Sequence, residues 1–179
     1  MRIGIVGAGG VGSVVGGLLS HGGHDVTLVD QWPEHIDKIK RDGLLIESRD
    51  QSILTRPNAI HICELAQITD SFEAAFIAVK SYDTTWATAL MLDYVDPENG
   101  VFVDFQNGIN DERMAAVAGA HRSLGCVIII GVGCYEPGKA IQTDAYPLGF
   151  KVGEHDGSDT PRARRIVQTL NCIAPTEVT

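Results

Sequence analysis

A glycine-rich hexamer between two short strands is the feature that most constrains how this chain can fold. The apolar strand at residues 2–6 runs directly into Gly7-Ala-Gly-Gly-Val-Gly12, and a helical run follows the hexamer. A second strand covers residues 25–29 and is followed by Asp30, eighteen residues after the last glycine of the loop. The hexamer alone would be weak evidence, but strand, glycine loop, helix, strand and acid together are typical of a dinucleotide-binding βαβ unit.

Each of the three motif glycines has a physical role that follows from the missing Cβ. Gly7 permits the tight turn off the strand, Gly9 lets the backbone approach a pyrophosphate, and Gly12 lets the helix pack close to the sheet. The N-terminus of the helix then offers free N–H groups and a positive dipole end to the phosphates. A structural glycine turn in some other βαβ unit is the alternative. The candidate cofactor-binding residues of the loop are Gly7, Ala8, Gly9, Gly10, Val11 and Gly12.

The acid after the second strand indicates which dinucleotide is bound. A carboxylate at Asp30 can accept hydrogen bonds from the ribose hydroxyls of NAD, whereas its charge repels the 2′-phosphate of NADP. The alternative is an aspartate that only caps a helix or stabilises a turn. We therefore predict NAD as the preferred cofactor.

Composition narrows the class of protein. The 179 residues carry a net charge of −9, which disfavours nucleic acid and anionic membrane surfaces as partners. No apolar run approaches the length of about 18 residues that a membrane span needs. Four dispersed cysteines without C-x-x-C pairing, and an N-terminus that enters a strand directly, predict a cytoplasmic protein without a signal peptide. No cluster of residues has the spacing of a metal site.

Strand-like and helix-like segments alternate along the chain, which predicts an α/β fold. We expect a Rossmann-like, mostly parallel sheet with helices on both faces and an antiparallel edge in the C-terminal third. That edge is predicted to pair residues 139–143 with residues 148–152 through Pro147. Further strands are predicted at 44–46, 52–55, 59–63, 74–79, 101–105 and 124–135, and helices at 13–20, 84–94, 111–118 and 161–170.

Two further side chains follow predicted parallel strands and would meet the glycine loop at the same edge of the sheet. Lys80 ends the apolar strand 74–79, and Asn107 lies in the Gln106-Asn107-Gly108 sequence after strand 101–105. Both have ordinary alternatives, a solvated surface lysine and a turn asparagine. We expect both to contribute to the cofactor site.

The chain resembles the N-terminal domain of the ketopantoate reductase (2-dehydropantoate 2-reductase) family. The V-K and Q-N-G segments carry the resemblance with more specificity than the glycine loop, which many dehydrogenases share. The matching segments are Gly7–Gly12, Gly23–Val29, Ala78–Tyr82, Phe105–Ile109, Gly125–Gly133, Glu136–Gly138 and Val152–Glu154. The resemblance implies an NAD(P)-dependent oxidoreductase of pantothenate biosynthesis that transfers a hydride to the C2 carbonyl of a 2-oxo acid. It also implies that Lys80 and Asn107 line the nicotinamide side and that Gly131 contacts the cofactor.

The sequence departs from the family in two respects. NADP, the usual cofactor of the family, is held in NADP-using members by an arginine directly after the second strand. This chain has Gln31 at that position, so we expect it to prefer NAD. Members also continue into a helical domain that supplies the catalytic lysine and a substrate-holding glutamate. We therefore predict a dinucleotide-binding domain over residues 1–171 and the start of a linker at 172–179, with no catalytic residue in this chain and no activity of the chain alone.

Two other functions stay open on the sequence. One is a non-catalytic module that binds or senses NAD, and the other is a different NAD-linked 2-hydroxy or 3-hydroxy acid dehydrogenase. Exposed apolar surface on the final helix would favour a truncated enzyme, because a missing domain leaves its interface bare, whereas a stand-alone module should have covered that face. The predicted partners are a dinucleotide and a small 2-oxo acid, and the sequence leaves a homodimer open.

Overall fold

A computed structural model describes residues 1–143 and 148–179 of the chain. The strands are β1 (Arg2–Val6), β2 (Asp25–Asp30), β3 (Leu44–Glu47), β4 (Ser52–Thr55), β5 (Asn58–His61), β6 (Ala74–Ile77), β7 (Val101–Asp104), β8 (Ser123–Ile129), β9 (Gly131–Glu136), β10 (Lys139–Thr143), β11 (Gly149–Gly153) and β12 (Thr176–Val178). The α-helices are α1 (Gly10–His21), α2 (Pro33–Asp42), α3 (Thr84–Met91), α4 (Asp111–Ala118) and α5 (Pro161–Leu170). Helix α1 thus begins within the glycine loop, three residues earlier than predicted.

The large sheet has the doubly wound order of a Rossmann fold. Its strands lie in the order β12-β11-β8-β7-β6-β1-β2-β5, and the six from β8 to β5 are parallel. Strand order reverses between β1 and β6, and ligands of such sheets bind beyond the carboxyl ends of the strands at this point. The predicted fold class is therefore confirmed, including an antiparallel strand, β11, beside β8.

A second sheet, in the order β4-β3-β10-β9, covers helix α1 from the other side. Glycines on two sides of α1 permit this close packing. A Cβ on Gly16 would lie 2.6 Å from the Leu28 side chain in the large sheet, and one on Gly17 would lie 2.6 Å from Ile46 in the small sheet. The helix is consequently a middle layer between two sheets.

Both faces of the large sheet are covered by apolar side chains. One cluster joins the sheet to α1, α5 and the small sheet, and a second joins it to α3 and α4. The rings of Phe76, Phe105 and Phe150 pack in sequence through the first cluster, with centroids 4.5 and 5.7 Å apart. None of the described helices has both the length and the apolar character that crossing a membrane requires.

The predicted pairing of residues 139–143 with residues 148–152 is wrong, although both segments are strands. Strand β10 pairs with β9 and β3 in the small sheet, whereas β11 pairs with β8 and β12 in the large sheet. The tight turn at Gly138, with a φ of +72°, returns β10 onto β9 and so occupies the edge that the prediction gave to β11. Pro147, which was to join the two, lies outside the described residues.

The end of the chain packs onto the domain. Strand β12 pairs in parallel with β11, and the amide of Thr179 donates to the carbonyl of Val152. Ala174 is buried in the first apolar cluster. The sequence predicts the start of a linker at 172–179, and three residues of that segment, Thr176–Val178, form a strand. The domain boundary after residue 171 stays a prediction.

Candidate dinucleotide site

The glycine loop is shaped by close contacts at two of its three motif glycines. Gly7 has a φ of +96°, and a Cβ there would lie 2.8 Å from the backbone of Val79. A Cβ on Gly12 would lie 2.0 Å from the carbonyl oxygen of Gly7. A Cβ on Gly9, in contrast, meets no atom within 4 Å, so this residue faces open space.

The N-terminus of α1 is not capped by a side chain. Gly9 is the N-cap residue and has no side chain to donate or accept, and the first turn carries no acid. The first amides of the helix therefore lack the usual intrahelical and side-chain acceptors, which is the arrangement that binds a phosphate at a helix N-terminus.

Asp30, at the end of β2, is held by two backbone amides. Its Oδ2 accepts from the N–H of Ala8 at 2.6 Å and its Oδ1 accepts from the N–H of Trp32 at 2.9 Å. The second bond is the turn role considered as an alternative from the sequence. Because a carboxylate has about four acceptor positions, the fixed group can still accept from two hydroxyls.

A cleft of about 370 Å³ brings most of the predicted residues together. It lies beyond the ends of β1, β2, β6 and β7, at the reversal of strand order. The predicted residues that line it are Gly7, Gly9, Gly10, Val11, Asp30, Gln31, Lys80 and Asn107. Ala8 and Gly12 lie behind this lining, where Ala8 reaches Asp30 and Gly12 packs on the loop.

Lys80 and Asn107 are both exposed at the rim of this cleft. Within residues 1–143 and 148–179, no carboxylate forms an ion pair with the Lys80 ammonium. Asn107 begins a turn in which Gly108 has a φ of +91°. The backbone carbonyl of Asn107 accepts a hydrogen bond from the side chain of Asn110. Both side chains are thus free to reach into the cleft.

Gly131 lies outside the cleft, at the start of β9. Its neighbours approach the loop instead, since a Cβ on Gly10 would lie 3.1 Å from Val132 and 3.2 Å from Gly133. The contact that the resemblance implies for Gly131 stays a prediction.

Sequence reasoning gave no role to Gln106, which holds two strand ends side by side. Its amide nitrogen donates to the carbonyl of Val79 at 2.8 Å, and its amide oxygen accepts from Thr84 at 2.9 Å. Gln106 is buried, so it fixes the spacing between the Lys80 and Asn107 segments. The sequence signal that could have identified Gln106 is its place in the Q-N-G segment.

A second cleft, of about 600 Å³, adjoins the first and shares Gln106 and Asn107 with it. Asp104 lines it, is only 2% exposed, and has an Oδ1 without a hydrogen-bond partner among the described residues. Burial, followed by the nearby charge of Asp111, raises the pKa of Asp104 to about 7. Burial and the charge of Asp104 also raise the pKa of the Cys126 thiol. Burial thus favours the protonated, uncharged form of both side chains.

Some exposed apolar side chains lie in or next to the second cleft, and the described residues of the final helix include none of the large ones. Ile109, Val127 and Ile129 are 84%, 57% and 43% exposed. Helix α5 buries its apolar residues and presents Arg164 and Gln168 to solvent. The final helix therefore does not show the exposed apolar face that would favour a truncated enzyme, because its apolar side chains pack on the large sheet. Exposed apolar side chains lie instead on β8 and in the loop after β7.

Sequence comparison places this arrangement among known proteins. The family model described as "Ketopantoate reductase PanE/ApbA" matches residues 3–157. The chain is 31% identical over 175 residues to the uncharacterized oxidoreductase YkpB of Bacillus subtilis, covering 97% of this chain and 55% of the relative. It is 33% identical over 144 residues to 2-dehydropantoate 2-reductase of Pyrococcus horikoshii, covering 77% of this chain and 43% of the relative.

Solved structures share the fold at lower identity. The 2-dehydropantoate 2-reductase of Geobacter metallireducens superposes with a TM-score of 0.87 at 22% identity, covering all of this chain and 58% of the other. D-mandelate dehydrogenase, in a ternary structure with NADH and anilino(oxo)acetate, gives a TM-score of 0.85 at 17% identity, covering all of this chain and 57% of the other. This chain spans about half the length of the proteins it matches. From the family model that covers most of its residues, the chain belongs to the ketopantoate reductase family, PanE/ApbA.

Proposed function

We propose that this chain is the cofactor-binding part of a reductase of 2-oxo acids and that it prefers NADH to NADPH. The convergence of the glycine loop, Asp30, Lys80 and Asn107 on one cleft at the reversal of strand order carries this proposal. When bound there, a nicotinamide cofactor supplies a hydride, which in this family is passed to the C2 carbonyl of ketopantoate or a related acid.

The phosphate end of the proposed site is built from backbone. The open space at Gly9 allows a pyrophosphate to approach the loop, and the uncapped amides of α1 would donate to its oxygens. Lys80, which also lines the cleft, would offset part of the phosphate or substrate charge. These groups have the chemistry that the phosphates of a dinucleotide require.

The proposed preference for NADH rests on the charge at the end of β2. The Asp30 carboxylate is fixed by two amides and retains acceptor positions for the ribose hydroxyls. Gln31 lines the same cleft and, unlike arginine, carries no positive charge for a 2′-phosphate. A phosphate beside Asp30 would therefore be repelled without compensation.

The proton donor and the substrate-holding groups would come from a further, helical domain that packs against this cofactor domain. The exposed apolar side chains around the second cleft support a packed neighbour there. Domain closure over the cofactor would then exclude water from the hydride transfer. We further propose that the protein acts in the cytoplasm.

Titration of the purified chain with NADH and NADPH tests this function. NADH should bind at least several-fold more tightly, because NADPH places a phosphate beside Asp30. The double substitution Asp30→Ala with Gln31→Arg should narrow or invert the difference. Equal affinities for the two cofactors would show that Asp30 does not discriminate against NADPH. Measurable reduction of ketopantoate by this chain would contradict the proposal that the catalytic groups lie in another domain.

A further inference from the structure

A buried histidine lies behind the dinucleotide cleft and does not line it. His35, in the first turn of α2, has no exposed surface, and the ring of Trp32 stacks on it with centroids 5.1 Å apart. A polar ring buried this completely must satisfy both nitrogens inside the protein.

The partners of His35 fix its tautomer. The backbone N–H of Gly138 donates to Nδ1 at 3.0 Å, so Nδ1 carries the lone pair. Nε2 then carries the hydrogen and donates to Ser13 Oγ at 3.2 Å. Burial lowers the pKa of His35 despite the opposing charge of Asp30, which agrees with a neutral ring. The Sγ of Cys134 lies 3.8 Å from Nδ1.

The hydrogen-bond series continues from His35 into the glycine loop. The Ser13 hydroxyl accepts from His35 and donates to the carbonyl of Ala8 at 2.7 Å. The N–H of Ala8, at the other end of the same residue, donates to Asp30 Oδ2 at 2.6 Å. Ala8 is thus held on both sides, between two glycines that have no side chains to restrain them.

We propose that His35 is a positioning residue for the dinucleotide, acting through Ser13 to hold Ala8 and, through Ala8, the carboxylate of Asp30. The inference rests on the proposed cofactor site and deepens it. A flexible glycine loop binds a ligand more weakly than a preorganised one, because ordering it on binding costs entropy. The His35–Ser13 pair keeps the loop ordered before the cofactor arrives.

Two conservative substitutions separate this role from a general effect on packing. His35→Gln places an amide near the position of Nε2 and keeps a donor for Ser13, whereas His35→Asn places an amide near Nδ1 and keeps only the acceptor for Gly138. We expect His35→Asn and Ser13→Ala to weaken NADH binding about tenfold, the loss of one buried hydrogen bond, and His35→Gln to stay within about twofold of the wild type. Ile39→Val, in the same helix and equally buried, is the control that lowers stability without changing affinity.

A spectrum recorded without cofactor tests the hydrogen bonds of His35 and Ser13 independently of the proposed function. The ¹⁵N spectrum of the free protein should show His35 protonated at Nε2, and Ser13→Ala should shift the amide resonance of Ala8. If wild-type protein fails to bind NADH, the proposed function is wrong, while this spectrum still decides the hydrogen-bond series. Protonation at Nδ1, an unmoved Ala8 resonance, or equal effects of the Gln and Asn substitutions on affinity would overturn the positioning role.

Discussion

Asp104 shows how a single buried carboxylate can oppose folding at neutral pH. It ends the parallel strand β7, and one oxygen has no partner among the residues that the structure describes. The backbone amides of Asn110 and Gln106 favour the charged form, but burial and Asp111 outweigh them. The ionised group is therefore more costly in the folded chain than in the unfolded one.

We predict that Asp104→Asn stabilises the domain by an amount that grows between about pH 4 and pH 7 and is constant above pH 7. The folded pKa of about 7 lies above the unfolded value of about 4, so the native state binds the extra proton between these values and loses stability as the pH rises through them. The substitution should gain up to about 4 kcal/mol at pH 8 and almost nothing at pH 4, as measured by denaturant unfolding. Asp37→Asn, an exposed change of the same charge, is the control; an equal gain in both variants would contradict the role of burial.

The sequence predicts the residues at strand ends better than those behind them. Asp30, Lys80 and Asn107 could be located because each follows an apolar strand whose end has a known place in the fold. His35 could not, because its partner Gly138 is 103 residues away and belongs to a sheet that no local pattern predicts. Burial of this kind depends on tertiary packing.

At the scale of elements, the glycine loop and α1 contain one glycine that folding requires and another that the proposed ligand binding requires. Gly12→Ala would place a methyl group 2.0 Å from the backbone of Gly7, whereas Gly9→Ala meets no atom of the protein and needs only an ordinary φ of −72°. Gly12 is therefore needed for folding, whereas Gly9 is needed only to leave room for the proposed ligand.

We predict that Gly12→Ala lowers stability by about 3 kcal/mol or more, because the clash is with backbone that cannot move aside. Gly9→Ala should fold like the wild type but bind NADH at least tenfold more weakly, since its methyl group occupies the approach to the pyrophosphate. Thermal unfolding and NADH titration of both variants test this pair. Unchanged affinity in Gly9→Ala would argue against a phosphate at the loop.

The last element tests the predicted linker. We expect a chain ending at Asn171 to lose about 3 kcal/mol of stability, because it loses the backbone bonds of β12 to β11 and exposes the contact made by Ala174. Glu177→Gln, which removes only an exposed ion pair with Lys151, should leave the urea midpoint close to that of the full chain. Urea unfolding measures both, and an unaffected truncated chain would indicate a linker throughout.

At the scale of the whole molecule, the order of segments predicts the large sheet but not the small one. Alternating strands and helices leave few arrangements once crossovers are right-handed, which is why the parallel sheet was predictable. The small sheet joins β3 and β4 to β9 and β10 across about half of the chain, and the pairing of β3 with β10 has no signal in either local pattern. These strands come together because all four pack on the same face of α1.

The position of α1 between two sheets has a consequence for how the domain opens. A helix on a surface can unfold locally, but α1 can release its amides to solvent only when one of the two sheets detaches. We predict that the amides of Val14, Val15 and Leu19 exchange with deuterium at the free energy of global unfolding, while those of the edge strand β12 exchange by small local openings. Native-state exchange at increasing denaturant measures both, and fast, denaturant-independent exchange in α1 would contradict this. The helix that would face the phosphates should then belong to the slowest-exchanging unit of the domain, and the hydrogen that its amides retain would report the free energy of unfolding of the entire fold.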